Sequence, residues 1–270
     1  MVLTEQEAQW QRARSEVYAD LLRGGREGMN RDPIRHARKF FDWNGTKFVP
    51  KPYVLPKEDD AVGLVCAALP SDFAKLCCDF GDELVALLPR EEGSNRLSGY
   101  VNDVNTMHMT LFHTSHPDEL MPGAKARHPQ DIVTLRGMAS RFKPLVLKPH
   151  RVVLCSSGAI VLLYDVDSTS DSDPFTVDRL RELARQSFSP LPKRQSKAIM
   201  HTTLARLLNP DVSANVIERV HRQCELITER LHRSNALCII ENLWHVDESH
   251  HYWANGDTTI IPLGSSSLAD

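Results

Sequence analysis

The chain contains two similar stretches, MHMTL at residues 107–111 and MHTTL at residues 200–204. Each places a histidine and a threonine two residues apart. Because side chains alternate between the faces of a β-strand, His108 and Thr110 are predicted to share one face, as are His201 and Thr203. If the two strands lie side by side, one cleft holds two imidazoles and two hydroxyls, which suits phosphate binding and proton transfer.

A single histidine two residues before Ser or Thr is a weak signal. The chain also carries this spacing at His113 and His232, where the apolar residue after the Ser or Thr is missing. His113 has the opposite strand parity to His108, and the default interpretation of any one copy is a half-buried strand histidine. The pair at 108 and 201 therefore depends on its surroundings for support.

Composition sets only broad limits on function. The chain has 270 residues, 41% of them hydrophobic, and a net charge of −3, so it can bury a large core and neither requires nor excludes nucleic acid. Its six cysteines form no C-x-x-C pair, which indicates free thiols in a reducing compartment. No apolar stretch approaches the roughly 20 residues of a membrane span. We expect a monomer without membrane contact or obligate protein partner, in the cytoplasm, with the nucleus left open.

The first sixty residues are predicted to form a mostly helical extension. A helix over 5–22 is expected to end at the glycines at 24 and 25, a short helix follows over 32–41, and an Asn-Gly pair predicts a tight hairpin. The rest of the chain, 61–270, is predicted to form the main domain. Its first lobe covers about 61–145 with the terminal strands, and its second lobe covers about 146–235.

The order of predicted elements repeats within that domain. An apolar strand (62–69), a helix (71–88), a polar loop and a His-x-Thr strand are followed later by a second apolar strand (159–166), helix (174–188), polar loop and His-x-Thr strand. The strand-to-histidine spacing is about 43 residues in the first copy and about 39 in the second. A duplicated unit places equivalent residues at equivalent sites, so the two histidines should face each other across a pseudo-twofold cleft.

Both motifs resemble those of the 2H phosphoesterase superfamily, whose members carry two apolar-His-apolar-Ser/Thr-apolar stretches. The likeness covers about residues 60–265, and Thr202 is the one departure, in a slot that is usually apolar. The surrounding strings look like the LigT-like and plant RNA ligase or cyclic nucleotide phosphodiesterase-like members. This resemblance implies an α+β fold of two pseudo-symmetric lobes, with antiparallel sheets lining a central cleft and helices outside.

The resemblance also implies a metal-independent phosphodiesterase that uses no cofactor. Its substrate would be a 2′,3′-cyclic nucleotide, ADP-ribose 1″,2″-cyclic phosphate or an RNA 2′,3′-cyclic end. Carried over by motif, His108 and His201 would be the acid and base, and Thr110 and Thr203 would bind phosphate oxygens. Threonine in both motifs favours the cyclic phosphodiesterase and ligase-like branch over the RNA-trimming exonuclease branch.

Two imidazoles suit this chemistry because one removes a proton from water while the other protonates the departing ribose oxygen. With an ordinary histidine pKa near 6.5, one can be neutral and the other protonated, which predicts a bell-shaped pH profile that persists in EDTA. Which histidine is the base stays open at this point. Strand parity adds Phe112 and Lys197 as candidate substrate contacts and directs Arg206 to the other face. Tyr164, Tyr252 and Trp253 are further aromatic groups that could stack on a base.

Two other classes of function are weighed against this one. Twelve histidines make a metal hydrolase worth considering, but the chain has no H-E-x-x-H motif and its clustered histidines alternate in parity. No G-x-x-x-x-G-K-[ST] loop and no G-x-S-x-G elbow occurs. The alternative from outside enzymology is a non-catalytic module of the same fold that binds a nucleotide or RNA end.

Overall fold

A computed structural model describes residues 3–91, 93–94, 96–167, 173–195 and 198–264. The fold is α+β, as the sequence predicts, with antiparallel strand pairing throughout the described sheets. The described helices are α1 (Glu5–Glu27), α2 (Arg31–Arg38), α3 (Ser71–Val85), α4 (Ala124–Ala139), α5 (Thr176–Ser187) and α6 (Ala214–Ser234). None of them combines the length and the apolar character needed to cross a bilayer.

The strands form two main sheets and one small hairpin. The strands are β1 (Phe41–Trp43), β2 (Phe48–Pro50), β3 (Gly63–Ala68), β4 (Gly99–Val101), β5 (His108–Ser115), β6 (Leu145–Leu154), β7 (Ala159–Val166), β8 (His201–Leu207), β9 (Cys238–Ile240), β10 (Asn242–His250) and β11 (Trp253–Pro262). A four-stranded sheet has the order β11-β10-β3-β5, and a five-stranded sheet has the order β4-β8-β7-β6-β9. β1 and β2 pair with each other.

The predicted repeat is visible in the topology. In the first copy the apolar strand β3 pairs directly with the His-x-Thr strand β5, and in the second copy β7 pairs with β8. The helix of each copy crosses over, because α3 packs against β8 and β4 while α5 packs against β5. One continuous apolar core joins both sheets and the helices that cover them. The two halves are therefore interlocked, and β5 and β8 come into contact with each other.

Both His-x-Thr strands carry a β-bulge at the same place. On β5, Cys66 pairs with Thr110 but the next partner, Val65, pairs with Phe112, so Leu111 is the extra residue. On β8, Val161 pairs with Thr203 and Ile160 pairs with Ala205, so Leu204 is extra. A bulge re-aims the side chains that follow it. The residue five positions after each histidine, rather than four, therefore returns to the face of the motif.

The N-terminal helix is longer than predicted. Thr4 and Glu7 form the expected capping box, but the helix continues through Gly24 and Gly25 and ends at Glu27. The backbone carbonyl of Leu154 lies where a Cβ on Gly25 would sit, at 2.0 Å. Gly25 therefore permits a close approach between α1 and β6 instead of stopping the helix. The predicted hairpin is confirmed, with the Asn44 side chain accepting hydrogen bonds from the backbone of Thr46 and Lys47.

One helix contains a proline, and one strand lies where a loop is predicted. α4 begins at Ala124 and carries Pro129 as its sixth residue. Because proline has no backbone N–H, this position lacks one intrahelical hydrogen bond. The polar stretch before the first motif, predicted as a loop, contains β4, which pairs with β8.

Candidate active site

A cavity of about 430 Å³ lies where the motif strands of the two sheets meet. His108 and Thr110 line it from β5, and Thr203 lines it from β8. Along both strands the motif residues are half-buried while their neighbours Met109 and Thr202 are fully buried. The alternation predicted from sequence is therefore present, and it brings the two motifs to one cleft.

His108 is held in a defined orientation. Its Nδ1 lies 2.7 Å from the backbone oxygen of Thr106, so Nδ1–H donates to that carbonyl and leaves the lone pair on Nε2. Thr106 ends a 3₁₀ helix, Val104–Thr106, that the Asp103 side chain caps. Burial lowers the pKa of His108, an effect that the Thr106 hydrogen bond partly opposes. The imidazole is therefore mainly neutral at pH 7 and free to accept a proton at Nε2.

His201 lacks such support. It makes no hydrogen bond within the described part of the chain, and its Nδ1 is buried without a partner. Burial is the main cause that lowers its pKa to about 4, and the charges of His108, Arg181 and Arg206 lower it further. His201 does not line the cavity wall itself. His108 is among the groups that lower its pKa, so the two imidazoles are near enough to influence each other electrostatically.

These pKa values correct the expectation of one neutral and one protonated imidazole. Burial keeps both rings neutral at pH 7, so the site gains a proton donor only when something stabilises the charged form. A bound phosphodiester does this, because a negative charge raises the pKa of a neighbouring imidazole. Binding of an anion in the cavity would therefore favour the protonated form of these imidazoles.

The two motif threonines have hydroxyls that are available to a ligand. The backbone carbonyl of Thr110 accepts a hydrogen bond from Arg181, and that of Thr203 accepts one from the Asn102 side chain at 3.3 Å. Neither hydroxyl is engaged by any residue that the structure describes. Their backbones are thus fixed while their side-chain donors face the cavity.

The bulges add a third residue to each motif. His113 and Arg206 line the cavity, in positions that strand parity alone assigns to the other face. The Arg206 guanidinium lies 4.4 Å from the ring centroid of Tyr252. Among the described residues it has no carboxylate partner. A cation without a counter-ion beside two hydroxyls forms a local anion site in a chain whose net charge is negative.

Arg181 fixes the two motif strands relative to each other. This α5 residue is 4% exposed. It donates to the backbone oxygens of Leu111 at 2.9 Å and Thr110 at 3.1 Å, and to that of Ile199, just before β8, at 2.9 Å. One buried guanidinium therefore binds the bulge of β5 and the start of β8 together. Sequence reasoning gave no signal for this residue, because the helix that carries it packs on the sheet of the other repeat.

α1 supports the second motif from the opposite side. The Tyr18 hydroxyl lies 2.6 Å from the Tyr164 backbone oxygen, to which it donates, and it accepts from the Met200 backbone N–H at 3.3 Å. Met200 immediately precedes His201. The N-terminal extension thus helps to hold the second motif strand.

The far end of the cavity is built from parts of the chain that are distant in sequence. Glu248 on β10 and the turn after it reach the cavity, and the extension forms a further wall. The residues from these segments are His36, Phe40, Tyr53, Glu248, His251, Tyr252 and Trp253. Only Tyr252 and Trp253 had a signal in the sequence, as aromatic residues able to stack on a base; the others depend on the topology.

Two of the three predicted substrate contacts, Phe112 and Tyr164, do not line the cavity. Phe112 is 3% exposed and packs against Phe188, because the bulge at Leu111 turns it into the core. Tyr164 is fully buried and its hydroxyl donates to the Thr202 side chain at 2.9 Å. β7 is buried on both faces, so an aromatic residue there packs instead of contacting a ligand. Lys197 lies outside the described residues.

The histidines do not converge on a metal-binding geometry. Within the described ranges, no three His, Cys, Asp or Glu side chains are grouped so that they could hold a metal ion. His113 and His116 do approach each other, with ring centroids 4.8 Å apart. They form a pair at the cavity edge and lack a third donor.

Comparison with known proteins gives a limited result. No protein-family sequence model matches the chain, and no curated protein sequence matches it significantly. Among solved structures, Usb1 of Kluyveromyces marxianus is similar over 75% of this chain and 98% of its own, at 10% identity and a TM-score of 0.44. The structure of the same protein with uridine monophosphate covers 77% of this chain and 100% of its own, at 10% identity and a TM-score of 0.43.

Proposed function

We propose that this protein is a phosphodiesterase that hydrolyses a cyclic phosphodiester through two histidines, without a metal or other cofactor. The observation that carries the proposal is the convergence of two His-x-Thr strands, one from each sheet, on one cavity. The matching bulges at Leu111 and Leu204 add weight, because they give both strands the same local geometry. The substrate would be a 2′,3′-cyclic nucleotide, ADP-ribose 1″,2″-cyclic phosphate or an RNA 2′,3′-cyclic end.

In this mechanism the two imidazoles transfer protons, and the threonine hydroxyls and Arg206 bind the phosphate. One neutral imidazole takes a proton from water while the water oxygen bonds to phosphorus. The other, protonated in the presence of the phosphodiester, gives its proton to the ribose oxygen as the phosphorus–oxygen bond to the ribose breaks. The hydroxyls of Thr110 and Thr203 and the guanidinium of Arg206 stabilise the charge on the remaining phosphate oxygens. The products are a phosphomonoester and a free ribose hydroxyl.

The proposal is tested with a substrate panel in the presence of EDTA. The panel contains 2′,3′-cyclic AMP, ADP-ribose 1″,2″-cyclic phosphate and an oligonucleotide with a 2′,3′-cyclic end, each followed by ³¹P NMR. We expect at least one member to be opened by the wild-type protein, with a bell-shaped dependence of rate on pH. Loss of the activity in the chelator would refute the metal-independent mechanism.

The same panel distinguishes the enzyme from a binding module. Calorimetry with each ligand, on the wild type and on the His108→Ala and His201→Ala variants, measures binding without reference to turnover. If the wild type binds a panel member and opens none, the fold serves as a nucleotide or RNA-end sensor. Turnover that both substitutions abolish supports the enzyme.

A further inference from the structure

The cavity extends beyond its phosphate-binding residues. From Thr110, opposite Cys66, to His113, opposite Leu64, β5 advances two pairing positions on β3, or about 7 Å at 3.3 Å per residue. β8 advances equally from Thr203 to Arg206. Glu248 lies further along the same face of the four-stranded sheet, since Val246 pairs with Leu64 and the Glu248 backbone N–H bonds to Val62. In a nucleotide, this offset corresponds to the ribose between the phosphate and the base.

The Glu248 side chain is unusual because it is a buried carboxyl group without a hydrogen bond. It is 8% exposed, lines the cavity, and makes no hydrogen bond in the described part of the chain. The Nε2 of His113 lies near its Oε2, at 3.9 Å, beyond hydrogen-bond distance. A carboxyl group that lines a cavity with its hydrogen-bonding capacity unused can bind a ligand there.

The walls beside this carboxyl are flat and aromatic. The ring of His251 lies between those of Phe40 and Tyr53, with both centroid distances 4.1 Å. Tyr252 covers Arg206. Aromatic faces favour planar rings, and a second phosphate at the same place would meet the Glu248 carboxyl group. These features fit a nucleobase better than the pyrophosphate of an ADP-ribose derivative.

We propose that Glu248 determines substrate specificity by hydrogen bonding to the edge of a nucleobase that displays one donor beside one acceptor. All four nucleobases display such an edge, guanine through O6 and N1–H, and guanine alone also displays two adjacent donors, N1–H and the N2 amino group. The substrate class is then a nucleoside 2′,3′-cyclic phosphate, and the preference for guanine depends on whether Glu248 is charged. This inference rests on the proposed function and refines it.

The protonation of Glu248 connects the geometry to this base preference. Burial raises its pKa to about 8, and Asp247 contributes in the same direction. At pH 7 the group is therefore a neutral acid, which donates one hydrogen bond and accepts another. Above pH 8 it becomes a carboxylate that only accepts, which suits the two donors of guanine.

Several titratable groups surround this carboxyl, and burial controls the nearest of them. Burial is the main cause that lowers the pKa of His113 to about 3, so the two side chains meet as neutral groups and not as an ion pair. The other titratable or charged groups at this end of the cavity are Tyr53, Cys66, His116, Asp118, Arg206, Asp247, His251 and Tyr252.

The test measures kcat/KM for 2′,3′-cyclic AMP and 2′,3′-cyclic GMP from pH 6 to pH 9.5. The ratio of the two values cancels the pH dependence of the catalytic histidines, which both substrates share. We expect the ratio of the cyclic AMP value to the cyclic GMP value to fall about tenfold as the pH rises past 8, because the carboxylate can accept two hydrogen bonds from guanine and not from adenine. A ratio that stays constant over this range would overturn the inference.

Variants separate recognition from structure. Glu248→Gln keeps one donor and one acceptor but does not titrate, so its ratio should keep the pH 6.5 value up to pH 9.5. Glu248→Ala should also lose the pH dependence of the ratio, and it should raise KM for both substrates because it removes the hydrogen bonds to the base. Asp247→Asn should shift the midpoint of the ratio to lower pH, because it removes a negative charge near Glu248. Glu241→Gln, an exposed carboxylate beside the same strand, is the control and should match the wild type.

The two proposals fail in different ways. If the wild-type protein opens no cyclic nucleotide, the proposed function is wrong. If it opens cyclic nucleotides and Glu248→Ala keeps the wild-type ratio, only the base-recognition role is wrong. Turnover of ADP-ribose 1″,2″-cyclic phosphate that exceeds that of every cyclic nucleotide would also overturn the assignment of substrate class.

Discussion

The motif strands β5 and β8 share the same bulged backbone geometry. They differ in the charge of their third cavity residue and in the hydrogen bonds that hold their histidines. Both carry His-x-Thr and a bulge at the next residue, yet the third cavity residue is His113 on β5 and Arg206 on β8. The Thr106 carbonyl orients the imidazole of His108, whereas His201 has no hydrogen bond among the described residues. Duplication thus supplies a symmetric scaffold, and the differences between its copies make the two histidines chemically distinct.

This asymmetry leads to different expected roles. His108, with Nδ1–H bound to a carbonyl and its lone pair on Nε2, suits the task of accepting a proton from water. His201, whose pKa is lowered to about 4 by burial and nearby cations, is a strong proton donor once the negative charge of a bound substrate has raised that pKa and the ring has taken a proton from solvent. We expect His108 to be the base and His201 the acid in ring opening.

The largest expected effect comes from removing either imidazole. His108→Gln and His201→Gln should each slow the opening of a cyclic phosphodiester by roughly a hundred- to ten-thousand-fold. With an aryl phosphodiester, whose leaving group needs no protonation, His201→Gln should recover most of its rate and His108→Gln should not. Steady-state kinetics with both substrates measures this difference.

His232→Gln, on the exposed end of α6, is the matched control for that experiment and should behave as the wild type. Equal recovery of both motif variants on the aryl substrate would mean that the two imidazoles exchange roles freely. The comparison between the strands would then carry no mechanistic meaning.

A smaller effect is expected from Arg181→Met, which tests whether the two motif strands depend on the guanidinium that hydrogen bonds to both of them. The substitution leaves the backbone oxygens of Thr110, Leu111 and Ile199 without this donor, so the free energy of unfolding should fall by about 3 kcal/mol. Urea denaturation measures the loss. Arg185→Met removes an exposed arginine of the same helix and should change stability by less than about 0.5 kcal/mol.

The smallest effect is expected from removing the positive charge of Arg206, which distinguishes β8 from β5. Because the Arg206 cation lowers the pKa of His201, Arg206→Gln should raise that pKa, by an amount that NMR titration of the imidazole resonances detects. The variant should also increase KM for any cyclic phosphate, since it removes a cation from the anion site. An unchanged or lower His201 pKa would contradict the electrostatic coupling between the two residues.

The sequence predicted those features that depend only on the alternation of side chains along a strand. The period of two along a strand placed His108 on one face with Thr110 and His201 on one face with Thr203, and the burial of both strands alternates accordingly. His108, Thr110 and Thr203 line one cavity, whereas His201 does not line its wall. The alternation failed beyond the motif threonines. It assigned Phe112 to the cavity face and Arg206 to the opposite face, whereas Phe112 is buried in the core and Arg206 lines the cavity. A bulge inserts one residue without a strong composition signal, since Leu111 and Leu204 read as ordinary strand residues.

Other parts of the site depend on topology that local patterns do not contain. Glu248 reaches the cavity because β10 pairs with β3, and Tyr53 and Phe40 reach it because the extension packs beside the turn after β10. Tyr164 was selected as an aromatic in an apolar run, where burial on both faces leaves no room for a ligand. The glycines at 24 and 25 predicted the end of the helix, but the helix continues through them, and Gly25 permits a close contact with β6.

The crossing of α3 and α5 bears on how such a molecule could arise and be divided. Each repeat sends its helix to the sheet of the other, so a fragment containing one repeat would expose both an uncovered sheet and a helix without its partner. A single-repeat ancestor would have solved this by pairing with a second copy and exchanging helices, as in a domain-swapped dimer. Gene fusion would then have joined two chains that already depended on each other.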